Sequence, residues 1–432
     1  MGVEGRVPVG IWSELGPGAR WANEGVSRVV GFLIEGAAAG RKYTFHILVP
    51  HGMGETVRED LRQLSAVEDR DWVVWEPPAP AHGEALSELA DFANRNVPVE
   101  AWIVTFPHFS GSLHLTKPKA TLYPDALPYD FPLGWNEENA WGPDGSWPKW
   151  RRTATNVMAE SAAVITFSRH VAERHAGPLC DVPLKKVRVI PLAPPDLAPL
   201  LPFVTNRQQT AESRSRAADI LRKHATEQSL DYLRGFPFEE VNFVAAATQD
   251  RPTKNLGLTA EAVRRVVRER RGNLKLFMTA HLHVGATWTK LPEIVRRGQF
   301  HHDLMSLPDL PRDVHAALFH CATVVVHSSF FEGIIGSLPF YEAASVGTPS
   351  LLARGPHIDE LLETEPTIEP FVYDPYDIDR LADLIVDVAS NRETYVKAQA
   401  EVFGRLVQRS WSEVATEYAQ AALSGVVARS AC

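Results

Sequence analysis

The stretch CATVVVHSSFFEGIIGSLPFYEAASVG (321–347) decides the fold. Its first part, ATVVVHS (322–328), is continuously apolar instead of alternating, which is the pattern of a strand covered on both faces and hence of a parallel sheet. That strand ends at His327-Ser328-Ser329, and a loop with Glu332, Gly333 and Gly336 follows. Pro339 then opens a helix that carries Glu342 in its first turn, and Gly347 closes that helix. The two loop glycines allow close backbone approach to a ligand. The helix N-terminus offers open N–H groups and a positive dipole to an anion such as a phosphate. Two carboxylates flank this point. Facing a diphosphate, they make sense as acceptors for sugar hydroxyls, one for a hexose and one for a ribose. The alternative is local: Glu332 caps a turn and Glu342 complements the dipole.

The same strand rhythm extends in both directions. In the first half the apolar, β-branched runs are 9–15, 43–50, 71–77, 101–106, 119–123, 162–167 and 186–192. In the second half they are 241–248, 274–280, 322–328, 348–354 and 370–375. Helical patterns such as LTAEAVRRVVRER (258–270) and DIDRLADLIVDVAS (377–390) separate them, giving a βαβ order in each half. The rhythm breaks between about 194 and 240, where APPDLAPLLPF is proline-rich and RQQTAESRSRAADILRKHATEQ is polar. The expected organisation is therefore α/β, with two doubly wound domains. They span 1–200 and 239–404, joined by an interdomain helical linker at 201–238. The segment 405–424 reads as one long amphipathic helix, so 405–432 is expected as a C-terminal helix and tail that crosses back to the first domain. Two such domains facing each other across a cleft would hold ligands outside the carboxyl ends of their strands.

Composition narrows the function. The chain has 432 residues, with 44 Lys plus Arg against 53 Asp plus Glu, a net charge of −9. That is a poor basis for general nucleic-acid binding, which needs a dense basic surface. The three cysteines, Cys180, Cys321 and Cys432, are too far apart for a disulfide framework and fit a reducing compartment. No apolar h-region opens the sequence, and no apolar run reaches the length of a membrane span. The expectation is a cytoplasmic protein without a span; peripheral membrane contact and oligomeric state stay open.

A second segment, TQDRPTKNLGL (248–258), follows the strand VNFVAAAT. It sets Arg251 and Lys254 at the carboxyl end of the first strand of the second half, where phosphates dock in such folds. A solvated basic loop is the plainer alternative.

Together these residues resemble family 4 of the retaining glycosyltransferases, of GT-B fold. Arg251 and Lys254 match its basic pair. Glu332-Gly333 and Leu338-Pro339 match its glycine-containing loop, and Glu342 through Pro349 matches the A-x-x-x-G-x-P continuation. The departure is that nine residues, not seven, separate Glu332 from Glu342. ITFSRHVAERHAG (165–177) with VRVIPLAPP (187–195), VTFPHFSGSLHLTKPKATLYPDALPYDFP (104–132) and GPGARWANEGVSRVVGFLIEG (16–36) extend the likeness over most of residues 10–400. Many members carry His-Asp where this chain has Pro124-Asp125.

The resemblance implies transfer of a sugar from a nucleoside diphosphate donor to a saccharide or glycosylated small-molecule acceptor, with retention and without a metal or other cofactor. It makes Arg251, Lys254, Glu332 and His108 the catalytic candidates. The donor- or substrate-binding candidates are Glu342, Gly333, Ile334, Ile335, Gly336, Gly18 and Asp125. The Lys254-Asn255 pair leans toward GDP-mannose. A nucleotide-sugar epimerase or phosphorylase of related fold, or a non-catalytic binding module, are the alternatives.

Other features compete less well. Asp69-Arg70-Asp71 spells the Asp-x-Asp of metal-dependent transferases, but it precedes a strand and reads as a solvated turn. His281-Leu282-His283 and His301-His302 have no partners at zinc-like spacing. Trp135, Trp141, Trp147 and Trp150, in the loop-rich stretch 133–150, form either a sugar-stacking platform or a loop anchor.

Overall fold

The computed structural model describes residues 5–16, 21, 25–64, 67–78, 86–130, 146–281 and 291–430. Gly18, Trp135, Trp141 and His283 lie outside the described residues. The chain divides into two compact units, Met1–Ala193 with Arg409–Cys432, and Pro194–Gln408.

The first unit runs β1 (Val7–Trp12), α1 (Gly25–Gly40), β2 (Tyr43–Leu48), α2 (Gly54–Arg62), β3 (Trp72–Trp75), α3 (Leu86–Asn96), β4 (Ala101–Val104), β5 (Lys119–Leu122), α4 (Leu127–Asp130), α5 (Ser146–Glu160), β6 (Ala163–Thr166), α6 (Gly177–Cys180) and β7 (Val187–Val189). Its seven strands form one sheet in the order β3-β2-β1-β4-β5-β6-β7. Neighbouring strands pair in parallel throughout, for instance β1 with β2 (Val9 opposite Phe45) and with β4 (Val9 opposite Ala101).

The second unit runs α7 (Ala211–Glu227), β8 (Phe243–Ala246), α8 (Leu256–Arg268), β9 (Lys275–Met278), α9 (Leu291–Arg297), β10 (Leu304–Ser306), α10 (Arg312–Cys321), β11 (Val324–His327), α11 (Leu338–Ser345), β12 (Ser350–Ala353), α12 (Pro356–Thr364), β13 (Val372–Tyr373), α13 (Ile378–Ser390) and α14 (Arg392–Leu406). Its six-stranded sheet has the order β10-β9-β8-β11-β12-β13.

Both faces of this second sheet are buried, which is why its strands read as unbroken apolar runs. On β8, Val244 and Ala246 pack with Val263 of α8 and Leu381 and Ile385 of α13. Phe243 and Ala245 point the other way, into a cluster with Leu221 of α7 and Phe319 of α10. Each fully covered Val, Leu or Phe contributes on the order of 2 kcal/mol, so the two clusters dominate the unit's stability.

Three expectations change. The stretch 201–238 is not a linker. Within it, Ala217, Leu221 and Ala225 recur at helical spacing and are fully buried, so α7 belongs to the core of the second unit. Thr210 and Ser213 cap it reciprocally. The segment 405–424 is not one helix. α14 stops at Leu406, and α15 (Trp411–Ser430) begins anew. Ser410 and Glu413 cause the restart: Glu413 N–H donates to Ser410 Oγ (3.2 Å) while Ser410 N–H donates to Glu413 Oε2 (2.7 Å), a capping box. The strand β10 has no counterpart among the apolar runs. It is a three-residue edge strand paired with β9 alone.

The return to the first domain is as expected. α15 packs along α1, where Phe32 stacks on Trp411 at 4.7 Å, and Val414, Tyr418 and Ala422 are fully buried. Among the described residues, no helix is long and apolar enough to cross a membrane.

Candidate functional site

Each sheet has one topological switch point. In the second unit the chain builds outward from β8 to β9 and β10, then returns to lay β11 on the other side of β8. The loops after β8 and β11 diverge there, leaving the crevice in which doubly wound folds hold ligands. In the first unit the switch point lies between β1 and β4.

The loop after β8 carries Arg251 and Lys254. Pro252–Lys254 forms a single 3-10 turn, and Asn255 takes a left-handed conformation (φ 49°) before α8 begins. The loop after β11 is stitched onto that turn. Phe330 N–H donates to Thr253 O (2.9 Å), Ser328 Oγ to Lys254 O (2.7 Å) and Ser329 Oγ to Thr253 O (3.2 Å). These bonds fix one loop against the other and bring Lys254 Nζ to 2.5 Å from Glu332 Oε1. His327, the last residue of β11 and 4% exposed, donates through Nε2 to the same oxygen at 3.1 Å. Burial pushes the Glu332 carboxyl upward, but the Lys254 charge and the His327 hydrogen bond outweigh it and hold the pKa well below 4.5. Two of the four residues expected to be catalytic thus touch each other. Arg251 lies on the same turn and is exposed.

Glu342 differs from its expected placement. Ser337 caps α11 by accepting from Phe340 N–H (3.2 Å), and Leu338 is the first helical residue, with no acidic residue in the first turn. Glu342 therefore sits in the second turn, not the first, and is fully buried. Its Oε2 accepts from His315 Nε2 of α10 at 3.2 Å. The close of α11 is as expected: Gly347 (φ 79°) and Thr348 return N–H groups to Ala344 O and Ala343 O, a Schellman motif.

In the loop, Gly333 and Ile334 are buried and Ile335 is half-buried. Gly336 adopts φ 72°, and a Cβ there would stand 2.3 Å from the Tyr341 hydroxyl. What the missing side chain admits is Tyr341, whose hydroxyl donates to Ile335 O (2.9 Å).

His108 and Asp125 belong to the first unit, in the loops after β4 and β5. His108 is exposed, and its ring is flanked by Phe106, Phe109 and Trp150. The indole of Trp150 donates to His108 Nδ1 at 3.2 Å. Trp147 and Trp150 lie in α5 rather than in a loop, edge to face at 5.2 Å and half-buried.

Glu14, which follows β1 at the first unit's switch point, belongs to no motif in the sequence. Burial drives its pKa up to about 7, against hydrogen bonds from the Trp12 indole (2.7 Å) and the Gly111 and Ser112 amides. His327 and His315 are not among the expected site residues either. The only available signal for Glu14 and His327 was their place at the carboxyl end of a strand.

Two carboxylate-bearing sites bear on metal binding. Asp130, His170 and His175 bring their ligand atoms within 4.8 Å of one another. However, Ala126 N–H donates to His175 Nδ1 (3.1 Å), so the proton sits on Nε2 and points at Asp130 Oδ2 (2.5 Å). A metal-ligating histidine donates through its outer nitrogen, whereas this one accepts there. Asp71 of the Asp-x-Asp stretch is not solvated. It is buried, bound to Arg6 Nη1 at 2.7 Å and to Glu68 N–H at 2.9 Å.

No protein-family profile and no curated protein sequence matches the chain. Solved structures do. HepE from Anabaena, in complex with UDP-glucose, superposes with a TM-score of 0.67 at 14% identity, over 96% of this chain and 99% of that one. Sucrose-phosphate synthase from Thermosynechococcus elongatus gives 0.65 at 14% identity over 96% and 98%. The trehalose 6-phosphate synthase of Burkholderia multivorans gives 0.59 at 13% identity over the full length of both. The chain shares the two-domain GT-B fold of these proteins.

Proposed function

We propose that this chain is a retaining, metal-independent glycosyltransferase that moves a sugar from a nucleoside diphosphate donor to a saccharide or glycosylated small-molecule acceptor. The observation that carries the reading is the contact between Lys254 and Glu332 at the switch point of the second sheet. A cation and a fixed carboxylate, side by side at the position where such folds hold ligands, suit a molecule that is an anion at one end and a polyol at the other. The structural neighbours support it, since HepE was solved with UDP-glucose.

In this reading Arg251 and Lys254 bind the donor diphosphate. Lys254 donates one of its three N–H bonds to Glu332 and keeps two for phosphate oxygens. As the glycosidic bond breaks, charge gathers on the leaving diphosphate, and the two cations stabilise it most at that moment. The leaving phosphate accepts the acceptor proton, so no protein base is needed. Glu332, held ionised, accepts from hydroxyls of the transferred sugar, and the backbone of 333–336 lies against it. Glu342 takes the ribose with His315 as its partner. His108 and Asp125, in the loops after β4 and β5, are the candidates of the first unit taken by itself. The lean toward GDP-mannose weakens, because Asn255 is accounted for by its backbone: it turns the chain into α8 and donates through Nδ2 to Pro375 O (3.0 Å).

Titration calorimetry with UDP and GDP, followed by a sugar-nucleotide screen with mass spectrometry of products, tests this. Binding of one diphosphate and an acceptor-dependent product mass are expected. Donor epimerisation without acceptor would replace the proposal with an epimerase, and no binding of either diphosphate would leave a binding module of another kind.

A further inference from the structure

Both hydrogen bonds to Glu332 fall on one oxygen. Lys254 Nζ and His327 Nε2 reach Oε1, at 2.5 and 3.1 Å, and among the described residues Oε2 receives none. The two donors differ in freedom. Lys254 ends a four-carbon chain from an irregular turn, whereas His327 is the last residue of a central strand. His327 is fixed by pairing with Leu352 of β12, and its backbone carbonyl accepts from the Tyr373 hydroxyl (3.4 Å). Its ring is 4% exposed, and it faces the carboxylate with Nε2. Because an ionised carboxylate only accepts, Nε2 carries the proton. Nδ1, whether lone pair or N–H, is buried without a partner among the described residues. A buried polar atom left unmatched costs stability, so this ring is not placed for packing alone.

We infer that His327 is a positioning residue: it anchors Glu332 by Oε1 from the rigid end of β11 and so presents Oε2 to a hydroxyl of the bound sugar. Lys254 is then released to serve the phosphate without letting the carboxylate swing. The inference rests on the proposed donor reading and adds to it the residue that fixes the geometry of sugar contact.

The test compares His327→Gln with His327→Leu. Glutamine can place an amide N–H where Nε2 stands, and leucine cannot. UDP, UDP-glucose, GDP and GDP-mannose are titrated into each protein, and the sugar increment is the affinity for the sugar nucleotide divided by that for its bare diphosphate. His327→Leu should lose roughly tenfold in that increment with the diphosphate affinity kept, and His327→Gln should recover most of it, as for loss of a hydrogen bond to a charged group. A second readout does not depend on the donor. Side-chain carboxyl carbon NMR should show Glu332 titrating at higher pH in His327→Leu than in wild type, with His327→Gln between them. Equal sugar increments and equal titration in all three proteins would overturn the inference. So would a glutamine variant as impaired as the leucine variant, since that makes ring packing the cause. If wild type binds no diphosphate, the donor reading fails by itself. An unchanged Glu332 titration would then reject the anchoring, and a raised one would uphold it without a sugar.

Discussion

Lys254 and Glu332 are separated by 78 positions in the chain and by 2.5 Å in space. The loops that carry them follow β8 and β11, strands that are neighbours only because the chain doubles back past β8. Their pairing is therefore a product of topology, and each residue alters the other's chemistry. The Lys254 charge keeps Glu332 ionised against burial, and Glu332 gives the ammonium a fixed place in a partly buried crevice.

Removing Lys254 should show in acid stability. A carboxyl whose folded pKa lies below its unfolded value contributes stability above about pH 4.5, and that contribution disappears as pH falls through the folded value. In Lys254→Met the folded pKa of Glu332 rises, so acid unfolding should begin at higher pH than in wild type. Circular dichroism between pH 6 and 2 measures it; superimposable acid transitions would mean that the contact carries no energy.

Arg251→Ala and Lys254→Ala should each lower turnover by about a hundredfold, on the order of 3 kcal/mol of transition-state stabilisation. If these cations take the place of a divalent ion at the phosphates, as proposed, turnover should be unaffected by excess EDTA. Loss of activity in EDTA that magnesium or manganese restores would remove the metal-independent mechanism.

The two glutamates should separate. Glu342→Gln is expected to weaken nucleoside diphosphate binding by roughly ten- to hundredfold, the value of a charged acceptor. Glu332→Gln should leave that affinity nearly intact and depress turnover with the full donor. Calorimetry with the bare diphosphate and kinetics with the sugar nucleotide are the measurements. Equal weakening of diphosphate binding by both would reassign Glu332. A Glu342→Gln protein that is destabilised but binds normally would make the His315 contact purely structural.

Glu14 gives a pH dependence of opposite sign. Its folded pKa of about 7 lies above the ordinary 4.5. Folding therefore favours the protonated form, and the associated stability is complete below pH 4.5 and lost as pH rises through 7. The loss is on the order of 3 kcal/mol. Chemical denaturation across pH 5 to 8 should show wild-type stability falling over this window and Glu14→Gln lacking that component. Parallel curves would place the Glu14 carboxyl in water.

Much of this architecture was legible in the sequence because burial on both faces leaves a direct trace. Val244 and Ala246 serve one core and Phe243 and Ala245 the other, so β8 had to be apolar at every position. β10 left no such trace: it is a three-residue edge strand on which Leu304 is buried and Met305 and Ser306 only half-buried. The restart at Ser410 was written as Ser-Trp-Ser-Glu, a capping signature masked by the helix-favouring residues on either side. At the site, Lys254 and Glu332 could be chosen by type and place after a strand. Their contact could not, because it depends on three hydrogen bonds between loops distant in sequence. His327 looked like the last residue of a strand, and only its distance from Glu332 reveals another role.

The first unit is closed by a helix that follows the whole second unit in the chain. α15 packs on α1, but roughly 200 residues of the second unit lie between Ala193 and Arg409. During synthesis at about 5–20 residues per second, the second unit is complete while the first still lacks a wall, for some tens of seconds. The face of α1 around Phe32 is open throughout that interval. Completion of the first unit therefore waits on synthesis of the second, more than on local folding speed.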